Sequence, residues 1–139
     1  MTLYEWITFY NKKNPNDPFQ PTDGFEFFFV ADKGFCEIRL LGDMVILGQL
    51  AGDARFFKEK IEEVARKLGI REGGTLCIRK EILAYIRLFG YRIDRIENLS
   101  DGTKRYFCSH RETGKWGQVS PAFTYDKTEE LAYLITWEI

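Results

Sequence analysis

Gln49-Leu50-Ala51-Gly52-Asp53-Ala54 lies between a strand-like apolar run and a segment with helical periodicity. A glycine at the end of an extended segment, followed at once by a helix start, exposes backbone N–H groups that no helical carbonyl can satisfy. Such groups, backed by the helix dipole, attract an anion. The chemistry open to this turn is therefore the holding of phosphate or carboxylate. Asp53 complicates it, because a carboxylate directly before a helix is a strong N-cap and takes up those same N–H groups. Two unit charges about 4 Å apart also repel by roughly 4 kcal/mol at an effective dielectric near 20. No Lys or Arg lies between Gln49 and Ala54, and Arg55 is the adjacent cation. Two uses of Asp53 stand side by side, helix cap and ligand contact.

Groups able to move protons are few. Glu37 and Arg39 share one face of a strand-like run with Phe35. Glu37 is either a base for an acceptor amine or part of a solvated face or ion pair. His110, the single histidine, ends another strand-like run, where a general base and a surface residue are both consistent readings. Cys36, Cys77 and Cys108 include no C-x-x-C pair, and no cluster has metal-ligand spacing. Cys77, in an apolar strand, reads as an inert core thiol. Trp116, between glycines in "GKWGQ", is expected in a loop, either as a contact site or folded over the sheet edge.

The elements that must position these residues are legible from periodicity. Thr2 and Glu5 have capping-box spacing ahead of a short helix carrying Trp6, Phe9 and Tyr10 on one face. Asn14 to Gly24 holds three of the four prolines and reads as a loop. "FEFFFVA", "FCEIRLL" and "DMVILGQL", separated by "DKG" and "GD", predict an antiparallel meander. Phe57, Ile61, Val64, Ala65 and Leu68 then recur at helical spacing, with Glu62–Arg66 and Glu63–Lys67 on the wet face and Gly69 as the stop. "TLCIR" (Thr75 to Arg79) predicts a short strand and Glu81 to Phe89 a short helix. "YRIDRIENL" and "KRYFCSH" flank the turn "SDGT" as a hairpin, and "LAYLITWEI" closes the chain as a strand. The class expected is α+β. A crossover through Asp53–Leu68 makes "DMVILGQL" and "TLCIR" a parallel pair in an otherwise largely antiparallel sheet.

Composition bounds the function. The chain has 139 residues, of which 45% are hydrophobic and 16% aromatic, enough for one domain with a real core and too apolar for disorder. The 20 basic and 21 acidic side chains nearly cancel, which argues against a nucleic-acid backbone or an anionic membrane as the main partner. Three dispersed cysteines, an odd count, and the lack of a signal-like or membrane-length apolar run point to a cytoplasmic protein.

Gln49 to Ala54 fits the pattern Gln-or-Arg, any, any, Gly, any, Gly-or-Ala, and here the chain resembles the GNAT-type N-acetyltransferases. Further along, "LFGYRI" around Gly90 is similar to that family's helix-to-strand corner, and the resemblance spans Phe25 to about His110. It implies one GNAT-like domain: residues 1–24 a helix and loop, 25–110 the core, 111–139 an extension with the final strand. It implies a sheet whose parallel pair splays apart, with helices on both faces. It also implies acetyl-CoA or CoA as cofactor. Gln49, Leu50, Ala51, Gly52, Asp53 and Ala54 would face the pyrophosphate, and Val45, Ile46 and Leu47 would lend backbone groups to the pantetheine arm and the oxyanion. Attack by a neutral amine through a tetrahedral intermediate would follow. The corner at Gly90 returns the chain to the sheet edge.

The sequence departs from that family in three places. Asp53 stands in the phosphate turn. Ile86 occupies the position of the tyrosine that protonates the leaving thiolate, with Tyr85 one residue away, about a hundred degrees around the helix. An initial strand and a second helix before the meander are absent, which leaves the loop Asn14–Gly24 to shape the acceptor side. On these grounds Tyr85 and Glu37 are the catalytic candidates, and acyl transfer to an amine is the leading expectation. The alternative is the same fold without catalysis, serving an unknown protein partner. The chain also loosely resembles short prophage and mobile-element proteins of Gram-positive bacteria in "GFCEIRLLGDMVI", "RLFGYRI" and "YLITWEI".

Overall fold

The computed structural model describes residues 1–77, 82–125 and 130–139. The chain divides into two compact units, Met1–Arg71 and Glu72–Ile139. Its class is α+β; the described residues form three helices and eight strands, and the strand pairings described within either unit are antiparallel.

The first unit begins with α1 (Leu3–Lys13). Its capping box forms as expected: the Thr2 hydroxyl accepts from Glu5 N–H, and the Glu5 carboxylate accepts from Thr2 N–H at 3.0 Å. The predicted meander follows as β1 (Glu26–Val30), β2 (Gly34–Leu41) and β3 (Met44–Gly52), in that spatial order. Helix α1 packs on β2 and β3. Tyr10 meets Phe35 on β2 with ring centroids 5.8 Å apart, and Phe19 from the proline-rich loop meets Phe35 edge-on at 4.8 Å. Phe27 of β1 completes this aromatic cluster.

Asp53 caps α2 (Ala54–Lys67), and the Ile70 N–H returns to the Ala65 carbonyl across Gly69, whose φ of +74° only glycine adopts without strain. The expected ion pairs Glu62–Arg66 and Glu63–Lys67 are present. The buried stripe is narrower than periodicity suggests. Phe57, Ile61 and Ala65 are buried, whereas Val64 and Leu68 are exposed.

The second unit comprises β4 (Glu72–Cys77), α3 (Ile82–Leu88), β5 (Tyr91–Asn98), β6 (Lys104–His110), β7 (Trp116–Tyr125) and β8 (Glu130–Glu138). Within it the strand order is β4-β8-β7-β6-β5. The hairpin around "SDGT" forms, with Asp101 Oδ1 accepting from the Thr103 N–H at 3.0 Å.

Two expectations are corrected here. Strand β4 starts at Glu72, not Thr75, because Gly73 and Gly74 are strand residues and not a turn; the expected end of this strand, Ile78–Arg79, and the helix start at Glu81 lie outside the described residues. Gly73 pairs with Trp137, and a Cβ on it would sit 2.5 Å from the indole ring. The glycine is there so that the aromatic can lie across the backbone. Likewise "WGQVSPAF" is not a loop but β7, inserted between β6 and β8. Its breakers are accommodated one by one. Gly117 lies under the Tyr91 ring, and Pro121 falls beyond the last β6 partner, Val119, where no N–H is needed on that side.

The corner at Gly90 also acquires its reason. Gly90 has φ +86°, its carbonyl accepts from Arg111 N–H at 2.9 Å, and a Cβ there would meet His110 Nε2 at 2.8 Å. Only glycine fits both the conformation and the space.

Gly73→Ala is expected to cost about 1–3 kcal/mol, the usual penalty of forcing a methyl group into a filled site. Chemical unfolding followed by tryptophan fluorescence would measure it, with a shifted native emission as Trp137 is displaced. An unchanged midpoint would refute the packing role.

Candidate functional site

The turn from Gln49 to Ala54 is built by a close approach of two strands. Gly34 and Gly52 are register partners with φ of +119° and +107°. A Cβ on Gly34 would lie 1.9 Å from the Ala51 carbonyl oxygen, and one on Gly52 would lie 2.0 Å from that of Lys33. Closure is completed by the Asp53 N–H, which donates to the Lys33 carbonyl at 2.8 Å. Gly52 is thus required by strand contact, whatever else approaches it.

Past this closure the chain enters α2. The Asp53 carboxylate accepts from Phe56 N–H at 3.0 Å, the helix cap anticipated from its position. The sequence shows no cation inside the turn, but the fold supplies one from elsewhere. The Lys33 ammonium, from the β1–β2 turn, lies 3.7 Å from Asp53 Oδ2 and 5.3 Å from the centre of the Phe56 ring. Lys33 is the residue that sequence reasoning missed. In the sequence it marks only a tight turn, and nothing local ties it to Asp53.

Gln49 points elsewhere. Between Cys36↔Leu50 and Ile38↔Leu47 the register shifts, so that two residues of β3, Gly48 and Gln49, stand opposite Glu37 alone. This β-bulge re-aims the side chain. Gln49 Nε2 donates to the Gln20 carbonyl at 2.6 Å, to Thr22 Oγ1 at 3.2 Å and to Glu37 Oε2 at 3.2 Å. Glu37, 1% exposed, also accepts from the Thr22 N–H and hydroxyl, each at 2.9 Å. The solvated face or surface ion pair considered for Glu37 is therefore not what is found: the carboxylate is buried and paired with neutral donors. It ties the proline-rich loop to β2 and β3. Thr22, the third member, has no sequence signal beyond a hydroxyl in a loop.

The remaining candidates fall as follows. On β3, Val45 is buried and Ile46, Leu47 and Leu50 are half-buried, while Ala51 is buried opposite Phe35. Ala54 opens α2 and is half-buried. Tyr85 is half-buried on α3 in the second unit, beside Ile86, which is buried. The structure thus brings Gln49 together with Glu37, and Lys33 together with Asp53. His110 Nδ1 accepts from the Glu112 and Thr113 N–H groups at 3.2 and 3.3 Å, and its ring packs edge-on against Tyr91. Its visible work is to brace the corner at Gly90.

Three free cysteines are present. Burial, with the Glu37 charge beside it, pushes the Cys36 thiol up to about 12, and burial with Asp94 pushes Cys108 up to about 11. Among the described residues no group of His, Cys, Asp or Glu is placed to hold a metal ion. No described helix is long and apolar enough to cross a membrane.

No protein-family profile matches the sequence, and no curated protein matches it. Solved structures similar to the chain include two N-acetyltransferases. One is the PaiA N-acetyltransferase of Thermoplasma acidophilum in complex with coenzyme A. It is 13% identical with a TM-score of 0.43, and the match covers 80% of this chain but only 60% of that one. The other is the ribosomal-protein-S18-alanine N-acetyltransferase of Escherichia coli, 14% identical with a TM-score of 0.46, covering 93% of this chain and 76% of that one. Neither bears on the likeness to mobile-element proteins.

Glu37→Gln replaces an acceptor oxygen by an NH2 group facing donors, and is expected to cost about 1.5–3 kcal/mol in urea unfolding. Unchanged stability would show that the loop is held by other contacts. The two buried thiols set a second expectation. An unfolded cysteine ionises near 9.0, whereas the folded Cys36 keeps its proton to about 12, so unfolding releases a proton between those values. Stability should therefore fall as pH rises through that window, and native Cys36 and Cys108 should alkylate far more slowly than in denaturant. Equal alkylation rates in native and unfolded protein would contradict their burial.

Proposed function

We propose that this chain is a divergent GNAT-like protein that binds acyl-CoA at the Gln49–Ala54 turn and transfers the acyl group to an amine. The observation that carries the reading is the Lys33 ammonium beside Asp53, at the point where β3 gives way to the amino end of α2. An anion at this turn would meet a cation, an exposed positive-φ glycine at Gly52 and the helix dipole together. That donor set fits a diphosphate, with Asp53 as the one opposing charge.

Roles follow from placement. Leu50, Ala51, Gly52 and Ala54 present backbone at the phosphates, and Lys33 balances their charge. Asp53 holds the first turn of α2 in register through Phe56. Val45, Ile46 and Leu47 on β3 are assigned to the pantetheine arm by the family resemblance. Gln49 and Glu37 act through Thr22, positioning the loop on the acceptor side. In this role Glu37 orients the loop and does not itself remove the amine proton. Tyr85 remains the candidate donor of a proton to the departing thiolate, and Tyr85→Phe tests it directly. Acyl-CoA would supply the activated thioester; the chain supplies orientation and charge.

The Asp53 carboxylate on the Phe56 amide also favours a second reading, a fold of this kind that contacts a protein partner and carries out no chemistry. Calorimetry with acetyl-CoA separates the two. Wild type is expected to bind, Lys33→Ala to bind about tenfold more weakly, and Asp53→Asn, which keeps the cap, to bind more tightly. No heat from any of the three at about 1 mM ligand, a ceiling for a useful cofactor site, would end the acyl-CoA reading.

A further inference from the structure

Strand β1 has one partner, β2, and its other edge faces no described strand. The Val30 carbonyl accepts from Lys33 N–H at 2.9 Å and so points toward β2. By the two-residue alternation of a strand, Phe28 and Glu26 also hydrogen-bond toward β2, and Phe27 and Phe29 turn their main-chain groups to the open edge. Ala31, next in the outward series, is already served, since the Trp6 indole N–H donates to its carbonyl at 2.9 Å. The open edge is therefore two residues, Phe27 and Phe29, with one N–H and one C=O each.

Such edges are ordinarily protected by charge, proline or a bulge. The outermost strand of the second unit, β5, has both charge and bulge: Arg92, Asp94, Arg95 and Glu97 along its length, and a register shift at Asp94. Strand β1 has no bulge, and its one charge, Glu26, sits at its first position. It reads Glu-Phe-Phe-Phe-Val, its pairing with β2 is unbroken, and Phe27, Phe28 and Phe29 are 40%, 44% and 39% exposed.

We propose that the β1 edge pairs with β1 of a second copy of this chain, antiparallel about a two-fold axis through Phe28. The choice of a second copy rests on symmetry. The free groups are disposed equally on either side of Phe28, so the two-fold places Phe27 opposite Phe29 of the other copy, and Phe29 opposite Phe27. All four outward groups of each copy are then satisfied. The two Phe28 residues meet as a close non-hydrogen-bonded pair, and an aromatic–aromatic pair is among the favoured ones there. Glu26 falls opposite Val30, so no like charges are opposed. An isologous contact of this kind closes at two copies. The strand is short, which puts the interface at the small, weak end of the range.

The test is sedimentation equilibrium of the intact chain from about 10 µM to about 1 mM, the range in which small interfaces associate. Wild type should pass from monomer to dimer. Phe29→Pro removes the outward N–H without touching the β2 ladder, and should weaken association about tenfold or more. A second variant guards against misfolding. Phe28→Cys, treated with oxidised glutathione, should give a covalent dimer, because facing residues of a non-hydrogen-bonded pair lie about 4.5 Å apart, within disulfide reach. Leu40→Cys, exposed on β2, should not. A wild type that stays monomeric throughout overturns the proposal and leaves the edge to another occupant. So does a dimer that Phe29→Pro leaves intact, no covalent dimer from Phe28→Cys, assembly beyond two copies, or equal cross-linking through Leu40→Cys.

Discussion

A buried carboxylate organises the first unit. Glu37 is 1% exposed, and a charge withdrawn from water to that degree persists only where donors surround it. Its donors are Thr22, twice, and Gln49. Each requires something of the chain. Thr22 must be brought in by the proline-rich loop, which stays over the sheet because Phe19 packs among the rings of Tyr10, Phe27 and Phe35. Gln49 must point to the Glu37 side, which the extra residue in β3 achieves. Gly48 must be small, since a Cβ there would lie 3.0 Å from the Phe25 ring and 3.2 Å from Glu37 Oε2. Loop, bulge and glycine are one arrangement around one charge.

The neighbouring turn depends on a second constraint, backbone contact without side chains. Gly34 and Gly52 let β2 and β3 close to where the Asp53 N–H reaches the Lys33 carbonyl. That same contact puts the Lys33 ammonium beside the Asp53 carboxylate. The negative charge that Asp53 places at the Gln49–Ala54 turn is met by a lysine from the preceding hairpin. Both side chains are part-exposed, so the pair adds little to stability. Its consequence lies in the local field, because the turn carries a balanced pair of charges and not a bare negative one.

The second unit shows how breakers are tolerated in and beside a sheet when each has a partner close in space. Gly73 lies beneath Trp137, Gly117 beneath Tyr91, and Gly90 beneath His110. Small residues and aromatic rings are matched across strands, so the ring covers the backbone that the glycine leaves bare. Pro121 occupies the stretch of β7 past its last β6 partner. These pairings are non-local, and glycine or proline in a sequence window carries no trace of the ring or missing strand that makes it tolerable.

From the sequence alone came the features governed by neighbours along the chain. These are the Thr2–Glu5 capping box, the meander from Glu26 to Gly52, the Asp53 cap with the helix it starts, the hairpin at Asp101, and the α+β class. Each follows from period, turn residues or hydrogen bonds spanning a few positions. What the tertiary structure alone decided were the contacts between distant segments: Lys33 beside Asp53, Thr22 and Gln49 on Glu37, β7 within its sheet, and Gly73 under Trp137. The reason is physical. A buried charge or a close backbone approach is set by whatever the fold brings there, and no property of Glu37 or Gly73 by itself names its distant partner.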